Sequence, residues 1–193
     1  MRIAIIRYNA GNIRSVSFAL ERLGVDFVIT DAESEIRSAD KVIFPGVGEA
    51  SSTMRYLKER HLDAIIRDLT QPVLGICLGM QLMCEHSEEN NTDCLGIFNE
   101  SVKKFQGELK VPHMGWNNLG IVKDWLDPSL EGNFVYFVHS FYVPLSPHAV
   151  AETDYGVTFS AGLRKNNFYA VQFHPEKSAD AGIKVLNSFL KHS

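Results

Sequence analysis

The chain predicts an α/β fold in which a mostly parallel sheet carries helices on both faces. Short apolar runs rich in β-branched residues, the pattern of strands buried on both sides, alternate through the first half with segments of helical spacing. The connections are short, and β–α units joined this way build a parallel sheet with right-handed crossovers. The 193 residues contain no internal repeat, low-complexity tract or interdomain linker, so one domain over residues 1–193 is the simplest reading.

Residues 2–8 read as the first strand, punctuated by Gly11-Asn12. A helix follows with Ile13, Val16, Leu20 and Leu23 on one stripe, stopped by Gly24. Residues 25–30 and 41–44 are the next strands, the second ended by Pro45-Gly46. Residues 50–68 carry helical spacing through Met54, Leu57 and Ile65, with a break near His61-Leu62. Residues 73–76 form a fourth strand that runs into Cys77; Cys84 falls in the helix after it and Cys94 in a loop. In the second half, strand-like runs at 101–105, 134–138, 149–153, 157–163 and 168–173 look antiparallel or mixed. A last helix from about Ala179 sets Ile183, Leu186 and Leu190 on one face behind an N-cap at Ser178.

Composition narrows the function. Apolar content of 45% and charged content of 22% suit a soluble globular protein, and no apolar run is long enough to span a bilayer. A net charge of −4 without a basic stripe argues against nucleic acid or membrane as partner. The N-terminus shows no targeting signal, and three cysteines make no disulfide framework, so a cytoplasmic location is expected. The seven scattered histidines, with no C-x-x-C and no H-E-x-x-H, predict no metal, and no cofactor is expected.

The chemistry concentrates on Gly75-Ile76-Cys77-Leu78-Gly79, a strand that turns into a helix. That is the context of a nucleophile elbow, with Cys where hydrolases of the type place Ser. The turn lifts the sulfur above the sheet, the helix start favours thiolate, and the Leu78 N–H lies where an oxyanion would form. The plain alternative is a buried structural cysteine, the reading favoured for Cys84 and Cys94. A thiol nucleophile needs a base held by a third group. His174-Pro175-Glu176 ends a strand, and in extended chain residues two apart point the same way, which sets Glu176 beside the His174 ring. His139 is the rival base, without a carboxylate at that spacing. Phe44-Pro45-Gly46-Val47-Gly48 is either an ordinary strand-ending turn or a loop whose Val47 N–H joins Leu78 at the oxyanion.

Three separated motifs, Pro45-Gly46-Val47-Gly48, Gly75 to Leu82 and Gln172 to Glu176, resemble those of the class I (triad) glutamine amidotransferases. The Pro112-His113-Met114-Gly115-Trp116-Asn117 block, Tyr136 to Ser140 and the early Gly11-Asn12 make the chain similar, end to end, to the branch that serves imidazole glycerol phosphate synthase in histidine biosynthesis. The resemblance implies a three-layer α/β fold, a Cys77–His174–Glu176 triad, and glutamine contacts at Gly48, Gln81, Glu89 and Ser140. It implies a (β/α)8-barrel cyclase partner that uses the ammonia, met through Asn12, Pro112, Met114 and Trp116. From the residues alone, Glu89 belongs to an acidic run that suits a solvated face, and core packing under a long loop is the lesser alternative for Met114 and Trp116. A cysteine peptidase on a related fold and a catalytically silent binding subunit are the rival functions.

Overall fold

The computed structural model describes residues 1–9 and 12–192; Gly11, half of the expected Gly11-Asn12 punctuation, lies outside them. Four βα units come first: β1 (Arg2–Ile6), α1 (Ile13–Arg22), β2 (Asp26–Thr30), α2 (Glu33–Ser38), β3 (Lys41–Phe44), α3 (Ala50–Glu59), α4 (Leu62–Arg67), β4 (Val73–Ile76) and α5 (Leu78–Leu82). Then come β5 (His86–Ser87), β6 (Thr92–Asp93), β7 (Ser101–Lys104), β8 (His113–Asn118), β9 (Phe134–His139), β10 (Phe141–Tyr142), β11 (Ala149–Asp154), β12 (Thr158–Lys165), β13 (Phe168–Val171) and α6 (Ala179–Lys191). The central sheet has seven strands in the order β11-β12-β13-β4-β3-β1-β2. β2, β1, β3, β4 and β13 pair in parallel, while β12 and β11 continue the sheet antiparallel. The sheet is therefore mixed and mostly parallel. No helix among the described residues is long and apolar enough to cross a membrane.

Strand pleating makes the three layers. Along β1, Ile3 and Ile5 enter one core with Val16 and Leu20 of α1 and Val185 and Phe189 of α6. Ala4 and Ile6 face the opposite core, with Ile36 of α2, Met54 and Leu57 of α3, Ile66 of α4 and Met80 of α5. Each of these side chains is almost fully buried, and truncating one such Leu or Ile to Ala costs about 2–5 kcal/mol.

Several expectations need correction. The helical segment 50–68 breaks where expected, with His61 left-handed at φ 56°. α2 went unanticipated because only Ile36 on it is buried, too little for a stripe. α5 has five residues, so Cys84 lies beyond it rather than within it. The block expected as a loop around Met114 and Trp116 is strand β8, in register with β9 from His113↔His139 to Asn118↔Phe134. Gly115 and two asparagines hide that strand from propensity, and the ladder with β9 makes it. Ser178 stands at the N-cap of α6, but its hydroxyl donates to the His174 carbonyl (2.6 Å) and accepts from Tyr136 N–H (2.9 Å). Ile183 faces solvent, and α6 packs through Val185, Leu186 and Phe189 instead.

Candidate active site

Three neighbouring parallel strands, β3, β4 and β13, deliver their following residues to one place: Val47 and Gly48, Cys77, and His174. The carboxyl ends of parallel strands are where open α/β sheets bind ligands. A cavity of about 310 Å³ opens there, and Val47, Gly48, Cys77, Leu78, Gln81, Glu89 and Ser140 line it. Pro112, expected on a partner face, also lies in its wall.

Cys77 sits at φ 53°, ψ −107°, outside the conformations L-residues ordinarily adopt, a strain of roughly 1–3 kcal/mol. Its N–H is fixed to Val171 O (2.8 Å) and its carbonyl to Gln81 N–H (3.2 Å). The turn closes only because Gly79 has no side chain: a Cβ there would stand 2.0 Å from Phe44 O. Cys77 is 5% exposed and all three cysteines are free. Burial pushes the Cys84 thiol far up and the Cys94 thiol up to about 12, which keeps both protonated and unreactive.

His174 is fully buried, its N–H bonded to Tyr136 O (2.9 Å). Its Nδ1 lies 2.7 Å from Glu176 Oε1, its buried Nε2 has no hydrogen-bond partner among the described residues, and the ring is near enough to Cys77 for that group to act on its charge. Glu176 reaches the ring by a route other than extended chain, because Pro175–Lys177 is a 3₁₀ turn with proline in its first position. Burial opposes a charge on His174, but the Cys77 thiolate and the Glu176 carboxylate outweigh it and raise the imidazole to about 10.

His139 fails as a base on geometry. Its Nδ1 donates to Phe141 O (2.7 Å) and its Nε2 is 3.0 Å from His113 Nδ1, so neither nitrogen is free for the sulfur.

The expected oxyanion hole is not assembled. Leu78 N–H donates to Gly46 O at 3.4 Å. The Gly46–Val47 peptide is trans, so its N–H points opposite to that carbonyl, and Val47 N–H is turned away from Leu78. Gly46 is packed against the Tyr8 hydroxyl and the Leu78 side chain, where a Cβ would come within 2.6 Å and 2.8 Å. A half-turn of this one peptide would free Leu78 N–H and bring Val47 N–H beside it.

Glu89 is no solvated acid. Its Oε2 accepts from Ala50 N–H (2.8 Å) at the start of α3, and burial raises its pKa. Met114 and Trp116 alternate outward on β8, 60% and 53% exposed, so they are not core. Asn12, expected at the partner face, is half-buried and turns its amide inward to donate to Glu176 Oε1. Tyr8 was not anticipated: its buried hydroxyl donates to Pro45 O, the carbonyl before Gly46. The signal available for both was a polar side chain beside a buried strand end, which must find a partner.

A strained cysteine elbow and a glycine-flanked peptide share one cavity wall, and a buried His–Glu pair ends the neighbouring strand. The family model described as Glutamine amidotransferase class-I matches residues 5–192, and the chain belongs to that family. It is 59% identical over 195 residues to the imidazole glycerol phosphate synthase subunit HisH of Bacteroides fragilis (strain YCH46), covering 99% of this chain and 100% of that one. It is 47% identical to the subunit of the same name from Pasteurella multocida (strain Pm70), with 98% of each covered. Among solved structures it is similar to a glutamine amidotransferase (TM-score 0.76, 18% identity, 97% of each chain) and to PurLQS from Thermotoga maritima (TM-score 0.72, 18% identity, 98% and 97%). Those two likenesses show the fold alone.

Proposed function

We propose that the chain, acting as one domain over residues 1–193, hydrolyses L-glutamine to glutamate and ammonia and supplies the ammonia to a (β/α)8-barrel cyclase in histidine biosynthesis. The observation that carries this reading is Cys77 in the wall of a cavity holding Gln81 and Glu89, with the buried His174–Glu176 pair close to it. The name shared by relatives at 59% identity supports the pathway. No cofactor is needed, and a cytoplasmic location belongs to the same reading.

In this mechanism Cys77 Sγ, its proton held by His174 Nε2, attacks the side-chain amide carbon of glutamine. The oxyanion is taken by Leu78 and Val47 N–H after the Gly46–Val47 peptide rotates. His174 gives its proton to the departing ammonia, then activates water to hydrolyse the thioester. Gly48, Gln81 and Ser140 hold the amino-acid end of the substrate, and the Glu89 carboxylate suits its ammonium. Met114 and Trp116 form the partner face beside the Pro112 wall, so docking there is placed to turn the oxyanion peptide. The isolated chain should then turn over slowly and speed up with its partner.

The test separates ammonia production from ammonia use. The complex carrying Cys77→Ala should make no product from glutamine, yet make it from an ammonium salt at high pH in proportion to the unprotonated amine. Glutamate release surviving in Cys77→Ala would remove the nucleophile, and a partner unable to use ammonia at all would remove the division of labour.

A further inference from the structure

Gln172 precedes His174 by two residues, is fully buried, and has no part in the mechanism above. Its amide contacts the nucleophile on one side and Gln81 on the other. The Nε2 atom lies 3.6 Å from Cys77 Sγ, and Oε1 lies 2.9 Å from Gln81 Nε2. Gln81 Nε2 in turn lies 2.9 Å from Phe141 O.

Side-chain amides are ambiguous by shape, because oxygen and nitrogen look alike, so the direction of this chain needs an anchor. Phe141 O provides it: a backbone carbonyl only accepts. The Gln81 atom facing it must be the NH2 group. The Gln172 atom facing that NH2 must then be the oxygen, which leaves the Gln172 NH2 group against sulfur. Reversing either amide would set two donors or two acceptors face to face in a buried site. The same carbonyl fixes the other arm. His139 Nδ1 must carry a proton to reach it, so His139 Nε2 accepts from His113 Nδ1, and His113 Nε2 is left as an acceptor 3.3 Å from Asn117 Nδ2.

We infer that Gln172 is a further catalytic residue, a fixed N–H donor to Cys77 Sγ that favours thiolate over thiol. This deepens the proposed function and rests on it. The surroundings of the sulfur give the donor its value. Val138 O stands 3.8 Å from Sγ, a distance at which it can accept from a thiol but only repel a thiolate. His174 takes the thiol proton at Nε2 and later gives it to the leaving ammonia, so its support for the sulfur changes during the cycle. Gln172 gives up no proton. Its hydrogen bond is present before attack and when the thiolate is regenerated, and it costs no reorganisation because both ends of the amide are tied.

The experiment compares Gln172→Met, which removes the donor, and Gln172→Glu, which is near-isosteric and replaces the donor with a second acceptor. Two rates are read: alkylation of Cys77 by iodoacetamide in the full-length chain at neutral pH, and glutamate release by the complex with its barrel partner. A hydrogen bond to a charged group predicts that Gln172→Met slows alkylation and kcat roughly ten- to hundredfold. KM should move by less than about threefold, since the lost contact is to sulfur rather than to bound glutamine. Gln172→Glu should be slower still. A structural role alone would slow neither alkylation nor kcat in folded protein, and would not set Glu below Met. Should Gln172→Met fail to fold, Gln172→Glu against the parent makes the same comparison. Parent-like alkylation in a folded variant overturns the inference, while the proposed function stands provided Cys77→Ala is inactive. If Cys77→Ala still hydrolyses glutamine, the proposed function falls and the inference with it.

Discussion

Two buried histidine arrangements stand by the Cys77 site, and the chain favours the charged ring in one and neutral rings in the other. His174 is raised to about 10, whereas burial lowers His113 to about 4 and His139 to about 3. Burial does not separate them, since all three are at most 6% exposed. Their partners do. His174 faces the Glu176 carboxylate at Nδ1 and lies near Cys77, and both favour a second proton on the ring. His113 and His139 share one proton between them at 3.0 Å, with a carbonyl beyond, and protonating His139 would set N–H against N–H. Charged His174 also repels a charge on His139. Burial alone thus makes a histidine a neutral strut, and burial between two anions makes it an acid.

The comparison breaks most visibly in kcat. His174→Gln removes the proton carrier and should lower kcat by roughly 100- to 10,000-fold, whereas His139→Gln removes a neutral link and should cost no more than about tenfold. Steady-state glutamate release from both complexes checks this, and equal losses would show that the rings are not so divided. Glu176→Gln sharpens it. The ring then keeps its orienting contact but loses one of its two anions, so kcat should fall less than in His174→Gln, with KM little changed. An unchanged kcat would mean that Asn12 and the 3₁₀ turn orient His174 without the charge.

The two arrangements were not equally legible in the sequence. His174-Pro175-Glu176 is local: proline and spacing predict the contact, although the route is a 3₁₀ turn rather than extended chain. Cys77 was legible for the same reason, since strand, turn and flanking glycines are contiguous. His113 and His139 stand 26 residues apart and meet only because β8 pairs with β9, a register that Gly115 and two asparagines concealed. The state of the oxyanion peptide was illegible too. Pro45-Gly46-Val47-Gly48 permits either orientation, and the choice rests on the contact between Gly46 O and Leu78 N–H, made by a different strand's turn. Local chemistry is thus readable from spacing, and chemistry closed by pairing is not.

The smallest effect is on stability, and pH alone draws it out. His113 and His139 have folded values below the ordinary histidine value of about 6.5, so the unfolded chain binds their protons more readily. Their contribution is present above about pH 6.5 and is lost as pH falls toward about 4 and about 3. His174 runs the other way: its contribution is present below about pH 6.5 and is lost as pH rises toward about 10. Carboxylates also weaken the fold in acid, Glu49 among them with a value of about 2, but their window opens only below the ordinary carboxylate value of about 4.3. The diagnostic interval therefore lies between about pH 6.5 and that value, where protonation of the two buried histidines lowers stability as pH falls and Glu89, raised by burial, acts in the opposite sense in parent and variant alike. Urea midpoints measured across it should fall in the parent and stay flatter in His139→Gln, which cannot take up a proton. The alkaline limb should be unchanged in His139→Gln and flatter in Glu176→Gln, where one anion facing His174 is gone. If His139→Gln loses stability over the acid interval as steeply as the parent, the neutral strut is not what that interval measures, and the contrast between the two arrangements reduces to catalysis alone.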